Sequence, residues 1–345
     1  MAELWQPHTV SFSSGGVRVI GHFGVMSRLL DDGVLCAVRN WYGCSGGSIC
    51  AFLGALGVSP AWLGDCVENF NMSALGEISE ELVTDYMNTW GVNTGDAGMT
   101  LFGRFIDTWE AGASAWSFAD LAAARPGIHL GITATNVSRG KLVVFSAETT
   151  PDMRIMDAIH ASCAIPLYFT PWLGGGGDVF CDGAVMEQYP WSCIADKNSA
   201  LVVVCSETAI SGRERERVDI RDLRDYAARL VHIVRQKPVA APLFWIAVNN
   251  KTVSVVDFHL DRDSRMELFR DGQRAAEGWL RFRQIAGSLR TAGTPPRSED
   301  HCTSSSSHHA GSRMSGTHPP HTAGDSCLSH HPDTGAPLRT RRWSL

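Results

Sequence analysis

The sequence predicts an α/β fold built on a mostly parallel sheet covered on both faces. Short apolar, strand-like runs alternate with helix-like segments from Thr9 to Arg283, and crossover helices between buried strands are what a parallel sheet requires. At 44% hydrophobic and 19% charged residues, the 345-residue chain also has ample apolar surface for a core.

Thr9–Phe12 reads as the first strand, and it runs out in Ser13-Ser14-Gly15-Gly16. Gly21–Leu30 follows as a helix, with Phe23, Val25, Met26, Leu29 and Leu30 on one broad face. A second strand ends at Trp41-Tyr42, before Gly43-Cys44-Ser45-Gly46-Gly47 and an apolar helix from Ser48 to Leu56. Ser59–Arg125 breaks the rhythm. It reads as a largely helical insertion over one end of the sheet, and its Trp62, Trp90, Trp109 and Trp116 either fill core or form a lipid-facing cap. Further strands are expected at Ile128–Thr135, Leu142–Phe145, Val179–Cys181, Leu201–Cys205 and Val253–Phe258, and helices at Met153–Cys163, Asp222–Gln236 and Arg265–Arg283. From Thr291 to Leu345 the chain turns rich in Ser, Thr, His, Pro and Gly, a composition that cannot offset its ordering entropy and reads as a disordered tail.

A formal net charge of −6 argues against a nucleic-acid binder. Ten cysteines are too sparse for a disulfide scaffold and show no zinc-finger spacing, so buried free thiols in a reducing compartment are expected. The N-terminal Met1–Val10 has neither the basic nor the apolar region of a signal peptide, and the longest apolar stretch is too short to span a bilayer. The expected location is cytoplasmic, with peripheral contact to membranes.

Three local patterns carry chemistry. The first is Gly43-Cys44-Ser45-Gly46-Gly47, a G-x-S-x-G between a strand and a helix. A serine on so tight a turn needs small flanking residues, Gly43 and Gly47, and its hydroxyl is presented at a helix N-terminus that favours negative charge. The second is the loop Gly15, Gly16, Val17, Arg18. It lacks the Lys-Ser/Thr of a phosphate-binding P-loop, so its free amides read as an oxyanion hole for a tetrahedral acyl intermediate. The third is Asp182-Gly183-Ala184, in which an aspartate at a strand end, on a loop of small residues Gly183 and Ala184, can take the proton of Ser45. A Ser-Asp-His triad in that chain order would single out His232 or His259.

Taken together, these patterns resemble the patatin-like phospholipase family, whose pattern runs S-G-G-G-x-R-G, then G-x-S-x-G, then D-G-G/A. Ser13 to Val19, Gly43 to Gly47 and Asp182 to Ala184 follow that order. Ile132–Asn136, Val143–Ser146, Ala161–Pro166 and Tyr189-Pro190 resemble the intervening family segments. The resemblance implies a doubly wound α/β/α sandwich with a mostly parallel central sheet. It implies a core over 8–190, with 191–290 completing the same domain and 291–345 as tail. It also implies a lipid acyl hydrolase using a Ser45–Asp182 dyad without histidine, metal or cofactor, on membrane or micellar lipid and with no nucleic-acid partner. Ser14 and Val19 stand where the family has glycine. A member that binds lipid or a partner without turnover, and an α/β-hydrolase with a true triad, are the alternative readings.

Overall fold

The computed structural model of the chain describes residues 5–70, 72–206, 242–250 and 252–292. The expected helix at Asp222–Gln236, His232 and the tail beyond Ala292 lie outside the described residues. The chain divides between Pro295 and Pro296, and every described residue belongs to the first unit.

Among the described residues eight strands form one sheet: β1 (Thr9–Phe12), β2 (Asn40–Cys44), β3 (His129–Asn136), β4 (Lys141–Phe145), β5 (Trp172–Leu173), β6 (Val179–Asp182), β7 (Ala200–Val204) and β8 (Phe244–Ala247). Their order is β5-β6-β3-β2-β1-β7-β8, with β4 also paired to β3. The run β3-β2-β1-β7-β8 is parallel throughout, whereas β4, β5 and β6 pair antiparallel.

Alternation along the strands sorts the two faces. Val10 and Phe12 of β1, with Leu201 and Val203 of β7, point into the main core. There they meet α1 (Ile20–Asp31), α2 (Gly46–Leu56) and α8 (Ile155–Cys163). The long helix α9 (Arg262–Ala292) packs along α1 and contributes Leu268, Phe269 and Leu280. On the opposite face Ala200, Val202 and Val204 lie under Tyr189, Trp191 and Ile194.

The insertion supplies α3 (Pro60–Asn69), α4 (Glu80–Thr84), α5 (Tyr86–Thr89), α6 (Asp96–Trp109) and α7 (Phe118–Ala124). Three of its tryptophans pack against the core. Trp62 and Trp109 meet edge to face at 6.0 Å, and Trp116 lies under the Arg125 guanidinium. Only Trp90 of the four stands half in solvent.

One expected strand is wrong. Residues 253–258 form turns, and the strand that pairs with β7 is the earlier Phe244–Ala247. Both runs are apolar. What separates them is that the Val253 and Val255 carbonyls are taken by Arg18 and Val17 rather than by a neighbouring strand.

Candidate active site

Ser45 sits at the sharp corner between β2 and α2, with φ 54° and ψ −135°, a conformation that L-residues rarely adopt. Three hydrogen bonds hold it there. The Ser45 amide donates to Ser162 Oγ at 2.8 Å. Its carbonyl accepts from the Ser48 hydroxyl at 2.6 Å and from the Ser48 amide at 2.8 Å. Ser162 in turn donates to the Thr133 carbonyl at 2.6 Å, tying the corner to β3. The flanking glycines are required by contact. A Cβ on Gly43 would lie 2.3 Å from the Gly47 carbonyl oxygen, and one on Gly47 would lie 2.5 Å from those of Phe12 and Ser13.

Asp182 reaches this corner through the sheet. Residues 132 and 133 of β3 pair with both β2 and β4, and residues 134–136 pair with both β4 and β6. Hence β2 and β6 share one edge of β3, end to end. Cys44 is opposite Thr133, and Asp182 is opposite the next residue, Ala134. Two side chains 137 positions apart thereby meet, and Ser45 Oγ donates to Asp182 Oδ2 at 2.6 Å. The Ala184 amide donates to Asp182 Oδ1 at 2.8 Å, and the Thr135 hydroxyl to the Asp182 carbonyl at 3.0 Å. Both members are buried. Cys163, at the end of α8, stands beside them, and burial followed by the Asp182 charge pushes its thiol well above the ordinary range.

The Gly-rich loop lies against the same corner. A Cβ on Gly46 would come within 3.2 Å of the Gly16 carbonyl oxygen. The expected set of four donors narrows to two, however. The Val17 amide donates to the Val255 carbonyl at 3.0 Å, and the Arg18 amide to that of Gly15 at 3.2 Å. The Arg18 Nε donates to the Val253 carbonyl at 2.6 Å, so this side chain braces the 253–255 turn. Gly16 has φ +55°, and a Cβ there would lie 1.8 Å from the Val255 carbonyl oxygen. Among the described residues, the amides of Gly15 and Gly16 have no protein acceptor, nor do those of Gly46 and Gly47 in the first turn of α2. The site therefore pairs a hydroxyl and a carboxylate with unused amides and the positive end of a helix, a set able to stabilise an oxyanion.

Four of the described histidines have neighbours away from Ser45 and Asp182. His22 is fully buried and lies 3.1 Å from Cys205 Sγ. Burial lowers its pKa to about 3 and raises that of Cys205 to about 12, so the pair is neutral. His129 contacts Glu148, His160 contacts the Thr94 carbonyl, and His259 lies against Gly76. Among the described residues no group of three or more His, Cys, Asp or Glu side chains could hold a metal ion.

Sequence reasoning missed Ser162, the Gly46 and Gly47 amides, and the 253–255 turn. Ser162 lies in the Ala161–Pro166 segment already singled out, but a lone helical serine carries no signal of what it will bond. The Gly46 and Gly47 amides follow from a general rule that first-turn amides lack intrahelical partners.

Comparisons with known proteins bear on the family and the fold. The patatin-like phospholipase family model matches residues 10–192. Among solved structures, VipD from Legionella pneumophila is similar at a TM-score of 0.50 and 15% identity, covering 81% of this chain and 67% of that one. The type III effector ExoU, from Pseudomonas aeruginosa, is similar at a TM-score of 0.43 and 20% identity, covering 81% of this chain and 53% of that one. Human GIVD cytosolic phospholipase A2 is similar at 0.42 and 12% identity, over 83% of this chain and 59% of that one. The chain thus spans about half of ExoU and two thirds of VipD. No curated protein sequence matches it.

Proposed function

Because the chain belongs to the patatin-like phospholipase family, we propose that it hydrolyses acyl ester bonds of phospholipids or related glycerolipids, with Ser45 as nucleophile and Asp182 as general base. The observation that carries this reading is the 2.6 Å bond from Ser45 Oγ to Asp182 Oδ2 at the strained corner. Asp182 takes the hydroxyl proton as Ser45 Oγ attacks the ester carbonyl carbon. The Gly15 and Gly16 amides, with the first turn of α2, hold the oxyanion, each donor being worth about 3 kcal/mol. As the tetrahedral intermediate collapses, the ester's alkoxy oxygen leaves with a proton and Ser45 remains acylated. Water, deprotonated by the same carboxylate, then releases the fatty acid and restores the hydroxyl. The test is fatty-acid release from phosphatidylcholine vesicles by the full chain. Absence of release from phospholipid, glyceride and simple ester substrates alike would refute the reading.

Ser162 is assigned a positioning role, since it fixes the Ser45 amide and the β3 carbonyl together. Ser162→Ala is expected to lower kcat roughly 10- to 100-fold with KM little changed, because a small misplacement of a nucleophile is enough for such a loss. Stopped-assay kinetics read the split. Equal loss in kcat and gain in KM would indicate general loosening instead.

We also assign the lipid-facing surface to residues 78–90. Ile78, Val83, Met87 and Trp90 expose 52%, 51%, 84% and 51% of their surface. The segment is tied to the site's surroundings. Tyr86 donates to the Leu167 carbonyl at 3.3 Å, and Val92 to that of Tyr168 at 2.9 Å. Tyr168 and Phe169 share a buried cluster with Val17. Glu80, Glu81 and Asp85 flank the patch, so neutral headgroups suit it better than anionic ones. No helix among the described residues is long and apolar enough to cross a membrane. Replacing Met87 and Trp90 together by aspartate is expected to weaken sedimentation with zwitterionic vesicles about 10-fold or more, with an unchanged melting temperature. Unaltered binding would rule the patch out.

A further inference from the structure

Behind the Gly-rich loop lies a cavity of about 50 Å³. Its wall includes Val19, Phe23, Ile49, Met72, Met99 and Phe102. Arg265 also borders it, but its guanidinium donates to the carbonyls of Val67, Leu260 and Glu68, so the cavity meets only the apolar stem. A hollow with no polar partner to offer stays dry and accepts apolar guests.

Val19 connects this hollow to the reactive corner. A Cβ on Gly46, the residue after Ser45, would lie 2.8 Å from Val19 Cγ1 and 3.0 Å from Cγ2. One on Gly15 would lie 3.4 Å from the same Cγ1. The isopropyl group is therefore wedged between the loop that carries the unused amides and the helix that carries the serine, and it lines the cavity as well. Ile49, four residues after Ser45 and so on the same side of α2, extends that wall. The family pattern has glycine at the position of Val19.

We propose that this cavity is the space into which a longer acyl tail would extend and that Val19 is its gate, which keeps it shut and restricts turnover to short acyl groups. The proposal rests on the acyl-hydrolase reading of Ser45 and narrows its substrate class. A water-sized group needs about 10–15 Å³ of such space. Some 50 Å³ thus admits about four such groups, so opening the gate lengthens the acyl chain that fits by about four carbons. A glycine at position 19 removes the isopropyl group and joins the gap beside Gly46 to the cavity.

The test compares p-nitrophenyl esters from butyrate to octanoate, using the full chain and its Val19→Gly variant. The wild type is expected to favour butyrate. Val19→Gly is expected to raise the octanoate-to-butyrate ratio of kcat/KM roughly 10-fold or more, the scale on which apolar pockets discriminate chain length. Val19→Ala, which keeps more of the packing, serves in its place if the glycine variant does not fold, and should fall between the two. A ratio unmoved by either substitution overturns the gate. A second measurement needs no turnover. Octanoate should raise the melting temperature of Val19→Gly but not of the wild type, because only a ligand that binds the folded state stabilises it. Adding Met99→Trp, which fills the cavity, should abolish that shift. If no ester is cleaved and a short-chain fluorophosphonate labels neither protein, the acyl-hydrolase reading has failed. The octanoate arm then still decides the gate: a shift confined to Val19→Gly upholds it, and equal shifts or none overturn it.

Discussion

Ser45→Ala is expected to abolish ester hydrolysis, lowering kcat/KM by at least about 10³-fold, the scale of losses when a nucleophile is removed from a preorganised site. The fold should survive. The corner is held by the Ser45 amide and carbonyl, through Ser162 and Ser48, and not by its hydroxyl. Alanine inherits the same backbone conformation at φ 54°, so the cost of that conformation is already present in the wild type. What is lost is the 2.6 Å bond to Asp182, whose other oxygen keeps the Ala184 amide. Circular dichroism and a thermal melt should therefore resemble the wild type while the esterase assay reads background. Wild-type turnover in Ser45→Ala would mean that another group attacks the carbonyl.

Asp182→Asn is expected to be nearly as damaging, by about 10³-fold or more, for a different reason. Asparagine has the shape of aspartate and can still accept a hydrogen bond from Ser45 through its amide oxygen, but it cannot take a proton. Both the attack of Ser45 and the activation of water in the second step lose their base. A histidine substitution set beside it separates the two serine-hydrolase readings. With a dyad, Asp182→Asn is inactive and His259→Ala keeps its turnover. With a triad, a histidine substitution would be as harmful as loss of the serine.

Much of this site was legible in the sequence because its chemistry is local. Gly43 and Gly47 are demanded by backbone contacts within a few residues of Ser45 and across to the end of β1, and such demands leave a fixed spacing. The parallel run of strands was also readable, because β1, β2, β3 and β7 are short apolar segments bounded by turns. The meeting of Ser45 with Asp182 was not readable from local pattern alone. It depends on β6 running antiparallel into the space beyond the end of β2, and the four residues of β6 carry no mark of their direction. The misplaced strand has the same origin. Phe244–Ala247 and Val253–Phe258 are both apolar, and only the tertiary capture of two carbonyls by Val17 and Arg18 decides between them. That capture also removed the Val17 amide from the donors expected of the loop.

The most direct test of the account is reaction of the full chain with a short-chain fluorophosphonate, followed by peptide mass spectrometry. The account requires one phosphonyl group per chain, located on Ser45, with none on Ser45→Ala and sharply slowed labelling of Asp182→Asn. Modification of a different residue, or no covalent adduct at any probe concentration, would contradict it.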